Sequence, residues 1–157
     1  MKYSDILEFW FEEISPSQGW KKDPAFDQQI IDRFSTIHES AACCELFRWR
    51  KTAEGRLAEV IVLDQFSRNM FRGSARSFAY DPLALALAQE AISAGADDLL
   101  EPSRRSFLFM PLMHSESLKV HDIAVDLFAR KCSEDNLNFE IRHKDIIQKF
   151  GRYPHRN

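Results

Sequence analysis

Residues that favour turns and strands are scarce in this chain. Its 157 residues include five Gly, six Pro, four Val and two Thr. Because β-sheet proteins are rich in β-branched residues and in turn residues, this composition argues against an all-β fold. Ala, Leu and Phe are frequent instead, with 15, 14 and 13 copies. The composition therefore predicts a helical domain.

Other absences narrow the class further. The three cysteines are odd in number, and Cys43 and Cys44 are adjacent, so they do not suggest a disulfide framework. Free thiols, together with no signal-peptide pattern after Met1, make the cytoplasm the expected location. No apolar run approaches the roughly 20 residues that a membrane span requires, so we expect no membrane partner. An apolar fraction of 45% excludes a disordered chain.

Charge is distributed unevenly along the chain, although the formal net charge is only −3. Residues 1–45 contain nine acids and four bases, whereas residues 142–157 contain five bases and one acid. A basic end suits an anionic ligand. The acidic chain as a whole lacks any known nucleic-acid-binding motif, so we expect no nucleic-acid partner.

Apolar spacing and capping residues predict six or seven helices. The third of them is apolar almost all round over residues 57–63, which is typical of a central, buried helix. The first helix is predicted to begin at a Ser4 cap, the second to run from Asp23-Pro24 to the mid-forties, and the third to begin at Thr52. The fourth is predicted from Asp81-Pro82 to Gly95 and the fifth from Ser103 to Pro111. The sixth is predicted to begin at a Ser115 or Ser117 cap, and the last to run from about Asn138 to Gly151. Short loops and no credible strand make this one all-α layered bundle over residues 1–157.

The first polar cluster follows the third helix and consists of Asp64, Arg68, Asn69 and Arg72. A buried carboxylate is costly unless it is paired, and Arg68 lies four residues from Asp64 on the same helix face. Asp64 can therefore orient Arg68, while Arg72 can bind a carboxylate or phosphate. A structural ion pair, with Asn69 as a helix stop, explains the same residues.

The second cluster is His114-Ser115-Glu116, next to a helix N-terminus. A pair formed by His114 and Glu116 can carry out general acid–base chemistry, which makes these two the catalytic candidates. Helix capping, with Glu116 near the positive end of the helix dipole, is the alternative.

The third cluster lies at the end of the chain and contains Arg152, His155, Arg156 and Asn157. Its alternative is a solvated terminus. The spacing Phe-x-Arg-x3-Arg occurs here, beginning at Phe150, and also in the first cluster, beginning at Phe66. This echo indicates chance, shared helix-end chemistry or stacked helical-hairpin repeats.

Two kinds of catalysis receive little support. His121-Asp122 is similar to the His-Asp dipeptide of helical metal-dependent phosphohydrolases, but adjacent helical residues point about 100° apart. We therefore predict no metal and no cofactor. No nucleophile elbow, activated cysteine or glycine-rich phosphate loop is present.

Five segments together resemble the bacterial "domain of unknown function 924" family. They are Ile-Leu-Glu-Phe-Trp-Phe (6–11), Leu-Asp-Gln-Phe-Ser-Arg-Asn (63–69), Ala-Tyr-Asp-Pro-Leu-Ala-Leu-Ala-Leu-Ala (79–88), Pro-Leu-Met-His-Ser-Glu-Ser-Leu (111–118) and Phe-Gly-Arg-Tyr-Pro-His-Arg-Asn (150–157). The resemblance implies antiparallel helical hairpins stacked as in tetratricopeptide repeats, and it implies no activity. Family members more often have glutamine at position 121 and continue past Asn157, so we expect this chain to lack a C-terminal helix.

The sequence does not define a reaction. The leading hypothesis is a helical protein with an Arg- and His-rich pocket for a small anionic ligand, a carboxylate or a phosphate. Its predicted site combines the three clusters: Asp64, Arg68, Asn69, Arg72, His114, Glu116, Arg152, His155 and Arg156. A tetratricopeptide-like scaffold for a protein or peptide partner, or for a second copy of the chain, is one alternative. A metal-dependent hydrolase is the other.

Overall fold

The computed structural model describes residues 1–156, and these residues contain seven helices. Helix α1 is residues 3–13 and α3 is residues 53–70. The others are α2 (Pro24–Ala42), α4 (Asp81–Ser93), α5 (Pro102–Met113), α6 (Leu118–Lys131) and α7 (Glu134–Phe150). Short 3₁₀ turns connect several of them, and this part of the chain contains no strand. The prediction of an all-α fold is confirmed.

Side-chain caps begin several of these helices where the sequence predicts. The carboxylate of Asp23 accepts hydrogen bonds from the backbone N–H groups of Ala25 and Phe26 at 3.0 and 3.3 Å, with Pro24 at the first helical position. The Thr52 hydroxyl accepts from Gly55 N at 3.0 Å and starts α3. Gly95 and Gly151 follow α4 and α7 with φ of 76° and 72°, a left-handed conformation that favours glycine.

Helix α3 forms the centre of the fold, as its all-round apolar sequence predicts. It contacts α1, α2, α4 and α5, and Leu57, Ile61 and Leu63 are fully buried. Within it, Val62–Phe66 forms a π-helical turn, and the flanking residues keep helical backbone angles. π-helical turns within α-helices are frequent at functional sites, and this one carries Asp64.

Helix α5 differs from its prediction, because Pro111 lies inside it rather than ending it. Proline lacks one backbone N–H, yet the helix continues for two more residues, and His114 N donates to Met110 O at 2.9 Å. His114 consequently becomes the residue that ends α5.

Two other helices begin earlier than predicted. The first helix begins at Tyr3 rather than after Ser4, with Asp5 accepting a hydrogen bond from Lys2 N at 2.8 Å. The last begins at Glu134, capped by Ser133, rather than near Asn138. Ser117 is the residue that caps α6. Within residues 1–156, no helix combines the length and apolar character needed to cross a bilayer.

The core also contains a buried histidine that makes stability depend on pH. His38 is 1% exposed, and its Nε2 donates to Ser67 Oγ at 2.8 Å, because the Ser67 hydroxyl itself donates to Leu63 O at 2.6 Å. Burial, with a smaller contribution from Arg76, lowers the pKa of His38 from 6.5 to about 4. Between these two pH values the unfolded chain binds a proton that the folded chain does not. Stability is therefore lost as the pH falls through this window.

When the pH is lowered from 7.5 to 4.5, we expect the wild type to lose about 2–3 kcal/mol more of its free energy of unfolding than His38→Gln loses. Urea unfolding of both proteins at the two pH values measures this difference. The variant serves as the control, because all other titrating groups are retained. An equal loss in both proteins would show that His38 does not titrate with a lowered pKa.

Candidate functional site

Asp64 lies at the centre of a buried polar cluster. Its side chain is 1% exposed, and Oδ1 accepts hydrogen bonds from His114 Nδ1 at 2.8 Å and from Arg68 Nη1 at 3.0 Å. Burial opposes ionisation, but the neighbouring His114 and Arg68 together hold the pKa of Asp64 below its ordinary value. Asp64 is therefore an ionised carboxylate that links α3 to the end of α5.

Arg68 is neutralised by two protein carboxylates. Besides Asp64, it binds Asp81 through two parallel hydrogen bonds of 2.9 Å from Nη1 and Nη2. Its guanidinium lies 5.5 Å from the centre of the Phe78 ring. These contacts bring the start of α4 against the end of α3, and they leave Arg68 without a free charge for a ligand.

His114 is the member of the cluster that also lines a cavity. Its Nδ1 donates to Asp64, since an ionised carboxylate can only accept, and this assigns the acceptor lone pair to Nε2. Burial, followed by the charge of Arg68, lowers the pKa of His114, so the ring is neutral at pH 7. No described residue hydrogen-bonds to Nε2. A carboxylate-oriented neutral histidine of this kind can act as a general base.

A cavity of about 530 Å³ lies beside His114, within the usual size range of small-molecule pockets. Most of its wall is apolar or aromatic. Its lining residues are Trp20, Met110, Met113, His114, Asn136, Phe139 and His143.

Side chains hold the backbone on both sides of His114. Three successive carbonyl oxygens each accept a hydrogen bond: Met113 O from Tyr153 at 2.5 Å, His114 O from Arg156 at 2.8 Å and Ser115 O from His121 at 2.6 Å. Tyr153 is 1% exposed, although it lies close to the chain end. The last turn of the chain thus fixes the position of His114.

Glu116 does not pair with His114, contrary to the predicted catalytic pair. Its Oε2 accepts a hydrogen bond from Tyr153 N at 2.6 Å, and its Oε1 lies 3.9 Å from Arg156 Nη1. Glu116 lies in the turn between α5 and α6, and its carboxylate binds the C-terminal segment. The carboxylate partner of His114 is Asp64 instead.

Asn69 and Arg72 bind a different carboxylate, Asp27 of α2. Asn69 Nδ2 donates to Asp27 Oδ1 at 2.9 Å, and Arg72 Nε donates to Asp27 Oδ2 at 2.7 Å. Asn69 is one residue past Arg68 and so points to another face of α3. Arg72 lies two residues past the end of α3, where helical spacing no longer applies. These contacts join Asn69 and Arg72 to Asp27 and not to His114, so they do not support the predicted grouping of the two residues with His114.

The third cluster is divided in the same way. Arg156 joins the site, with its guanidinium 3.5 Å from Asp81 Oδ2 and 4.6 Å from the Phe78 ring centre. Arg152 and His155 are exposed, and neither lines the cavity. Asn157 lies outside the described residues. Arg68 and Arg156 both contact Phe78 and Asp81. They are not equivalent positions of the two Phe-x-Arg-x3-Arg segments, because Arg68 is the first arginine of its segment and Arg156 is the second arginine of the other.

His121 and Asp122 do not share a site. His121 is fully buried, with Nδ1 2.7 Å from Glu140 Oε2, whereas Asp122 is exposed and pairs with Lys144 at 2.8 Å. Both ring nitrogens of His121 have protein partners, so neither can bind an ion in this arrangement. Among residues 1–156, no three His, Cys, Asp or Glu side chains are placed to hold a metal.

Sequence reasoning missed two residues of the site, Asp81 and Tyr153. Asp81 signals the start of α4, and nothing in its local pattern shows that it also pairs with Arg68. Tyr153 lies inside the C-terminal motif, between residues that were selected for their charge. With both included, the site contains Asp64, Asp81 and Glu116 against Arg68 and Arg156, so carboxylates outnumber arginines.

Comparison with known proteins places this chain in a family. The family profile described as "Bacterial protein of unknown function (DUF924)" matches residues 6–157. The chain belongs to the DUF924 family. A solved structure with the same DUF924-type fold, that of the protein of unknown function ATU0120 from Agrobacterium tumefaciens, is 41% identical with a TM-score of 0.93. The match covers 99% of this chain and 87% of that one.

These similarities assign the DUF924 fold but no activity. No curated protein sequence matches the chain. The biochemical function of this DUF924 protein is therefore unknown, and any function has to be argued from the site itself.

Proposed function

We propose that the protein binds a small, largely apolar molecule in the cavity beside His114. In this proposal, His114 Nε2 accepts a hydrogen bond from a donor group of that molecule, a hydroxyl or an amide, and can remove its proton. The observation that carries the proposal is the 2.8 Å hydrogen bond between His114 Nδ1 and the buried carboxylate of Asp64.

The paired carboxylate gives His114 a defined protonation state. Asp64 holds the proton on Nδ1, and the lowered pKa keeps the ring neutral, so Nε2 presents a lone pair at neutral pH. When Nε2 takes a proton, the neighbouring carboxylate stabilises the resulting imidazolium. The dyad is thus suited to accepting a proton from a ligand.

The wall of the cavity supports an apolar ligand rather than a strongly charged one. Met110, Met113 and Phe139 supply apolar surface, and Trp20 adds an aromatic face. The arginines that the sequence assigns to an anion are paired with protein carboxylates, apart from the exposed Arg152. The leading hypothesis from the sequence is an anionic ligand. The experiment below therefore has to distinguish an anionic ligand from an uncharged, apolar one.

The lining residues favour proton transfer over covalent catalysis. They include no serine, cysteine or lysine, so no hydroxyl, thiol or amine nucleophile of the described residues borders the cavity next to His114. The free Cys43, Cys44 and Cys132 lie elsewhere and support the proposed cytoplasmic location.

We expect 1-hexanol to bind and to shift the His114 ring signals in an NMR titration, and we expect His114→Asn to lose this binding. Asparagine places a nitrogen donor near the position of Nδ1, so it can still bind Asp64, but it lacks Nε2. His155→Asn is the matched control, because His155 is exposed and outside the cavity. That control should bind like the wild type.

Three results would contradict this proposal. If hexanoate binds more tightly than 1-hexanol at pH 7, the site prefers an anion, as the sequence alone suggested. If neither probe binds the folded protein, or if His114→Asn binds 1-hexanol as well as the wild type does, His114 does not hold the ligand.

A further inference from the structure

We infer that the cavity beside His114 continues past Trp20 into a second cavity, and that both halves together take one molecule with a long apolar chain. Its polar head lies at His114 and its chain extends along α5 towards Arg104. This inference rests on the proposed function and names the class of ligand: an amphipathic molecule with a single extended hydrocarbon chain.

The two cavities are neighbours with common walls. The second has a volume of about 460 Å³ and lies between α1, α5 and the turn Pro16–Gly19. Trp20, Met110 and Asn136 line both cavities. Each volume falls within the range of small-molecule pockets, so a small molecule fits this surface better than a second protein.

Trp20 stands at the junction of the two halves. It is 63% exposed, which is unusual for the largest aromatic side chain, and it stacks on Phe107 with ring centres 5.9 Å apart and planes 18° from parallel. Trp10 and Phe11 contact the same Phe107 ring edge-on at 5.7 and 5.5 Å. An apolar chain passing over Phe107 would cover exposed surface of Trp20 and gain contacts in both halves.

The charges at the two ends set the direction of the ligand. The rim of the second cavity carries the acids Glu12 and Glu101 beside Arg104, whose guanidinium stacks over Phe11 at 4.8 Å. A carboxylate or phosphate at this end would meet two acids and one base. The hydrogen-bond acceptor His114 is at the opposite end, so the polar head belongs there.

A series of unbranched 1-alkanols tests this arrangement. We expect affinity to rise about three- to fourfold per added methylene, because each buried methylene contributes a similar transfer free energy. This rise should continue smoothly beyond the length that fills the first cavity. Dissociation constants follow from NMR titration of the His114 ring and from Trp fluorescence.

The variant Ser103→Trp provides a second test of the extended ligand. Ser103 is exposed, lines only the second cavity and lies in the first turn of α5, so a large side chain there blocks that half without entering the core. We expect 1-butanol and 1-hexanol to bind this variant as they bind the wild type. The longer alcohols should lose the extra affinity that chain length gives in the wild type.

The results separate the two proposals. If short alkanols bind at His114 but affinity stops rising at the length of the first cavity, or if Ser103→Trp binds long and short alkanols like the wild type, the extended ligand is overturned and the His114 site stands. If no alkanol binds, the proposed function itself fails. The 1-alkanol series on the wild-type protein tests the extended ligand even if Ser103→Trp does not fold.

Discussion

Replacing Asp64 by alanine is expected to lower the free energy of unfolding by about 3–5 kcal/mol, because it removes one partner of a buried ion pair and leaves the His114 donor without an acceptor. The His114 Nδ1–H group loses its acceptor, and Arg68 keeps only Asp81 as a carboxylate partner. Urea unfolding at pH 7 measures the change. We expect the same variant to lose 1-hexanol binding, since the His114 ring is no longer held.

Asp64→Asn is the matched control for this prediction. Its amide oxygen can still accept from His114 and Arg68, so it should cost less than the alanine variant, about 1–2 kcal/mol. If Asp64→Ala lies within about 1 kcal/mol of the wild type, Asp64 is not part of a tightly coupled buried pair. The account of the site would then be wrong.

Replacing Tyr153 by alanine is expected to cost about 3 kcal/mol, at the lower end of the range for buried aromatic residues. The ring is almost completely buried, and its hydroxyl donates to Met113 O at 2.5 Å and lies 3.1 Å from His121 Nε2. The variant should also weaken ligand binding, because the backbone next to His114 loses the segment that holds it.

Tyr153→Phe separates these two contributions. It keeps the packing of the ring and removes the hydroxyl, so it should cost about 1–2 kcal/mol through the unpaired Met113 carbonyl. Thermal unfolding and 1-hexanol titration of both variants measure the effects. Equal stability of Tyr153→Ala and the wild type would show that the C-terminal turn does not dock on the protein in solution.

Local signals were enough to predict most of the fold. Asp23-Pro24, Thr52 and the glycines Gly95 and Gly151 mark helix ends through their own backbone chemistry, so each acts within one turn of its position. Pro111 misled the prediction because the loss of one backbone hydrogen bond can be tolerated in a helix that is buried by its neighbours. The likeness to tetratricopeptide hairpins stays a prediction.

The site was harder to predict, because its contacts join residues far apart in sequence. The pair Asp64–Arg68 is four residues apart and follows from helix geometry. The pairs Asp64–His114 and Arg68–Asp81 depend on how α3, α4 and α5 pack, which no local pattern encodes. Charge composition alone therefore suggested free arginines, whereas packing supplies Arg68, Arg72 and Arg156 with carboxylate partners.

These contacts change how the arginine-rich motifs are interpreted. Arg68, Arg72 and Arg156 hold the protein together by pairing with Asp81 or Asp27, each across a different pair of segments. The group left for a ligand is the neutral imidazole of His114. The proposed site is thus a proton acceptor at the end of an apolar cavity, supported by an ionic framework behind it.

The protonation state of His114 tests the central claim most directly. A long-range ¹H–¹⁵N correlation spectrum at pH 7, with the His114 signals assigned by loss in His114→Asn, reports which ring nitrogen carries the proton. We predict a neutral His114 ring protonated on Nδ1, titrating with a pKa below that of an ordinary histidine. A ring protonated on Nε2, or an imidazolium at pH 7, would contradict the account.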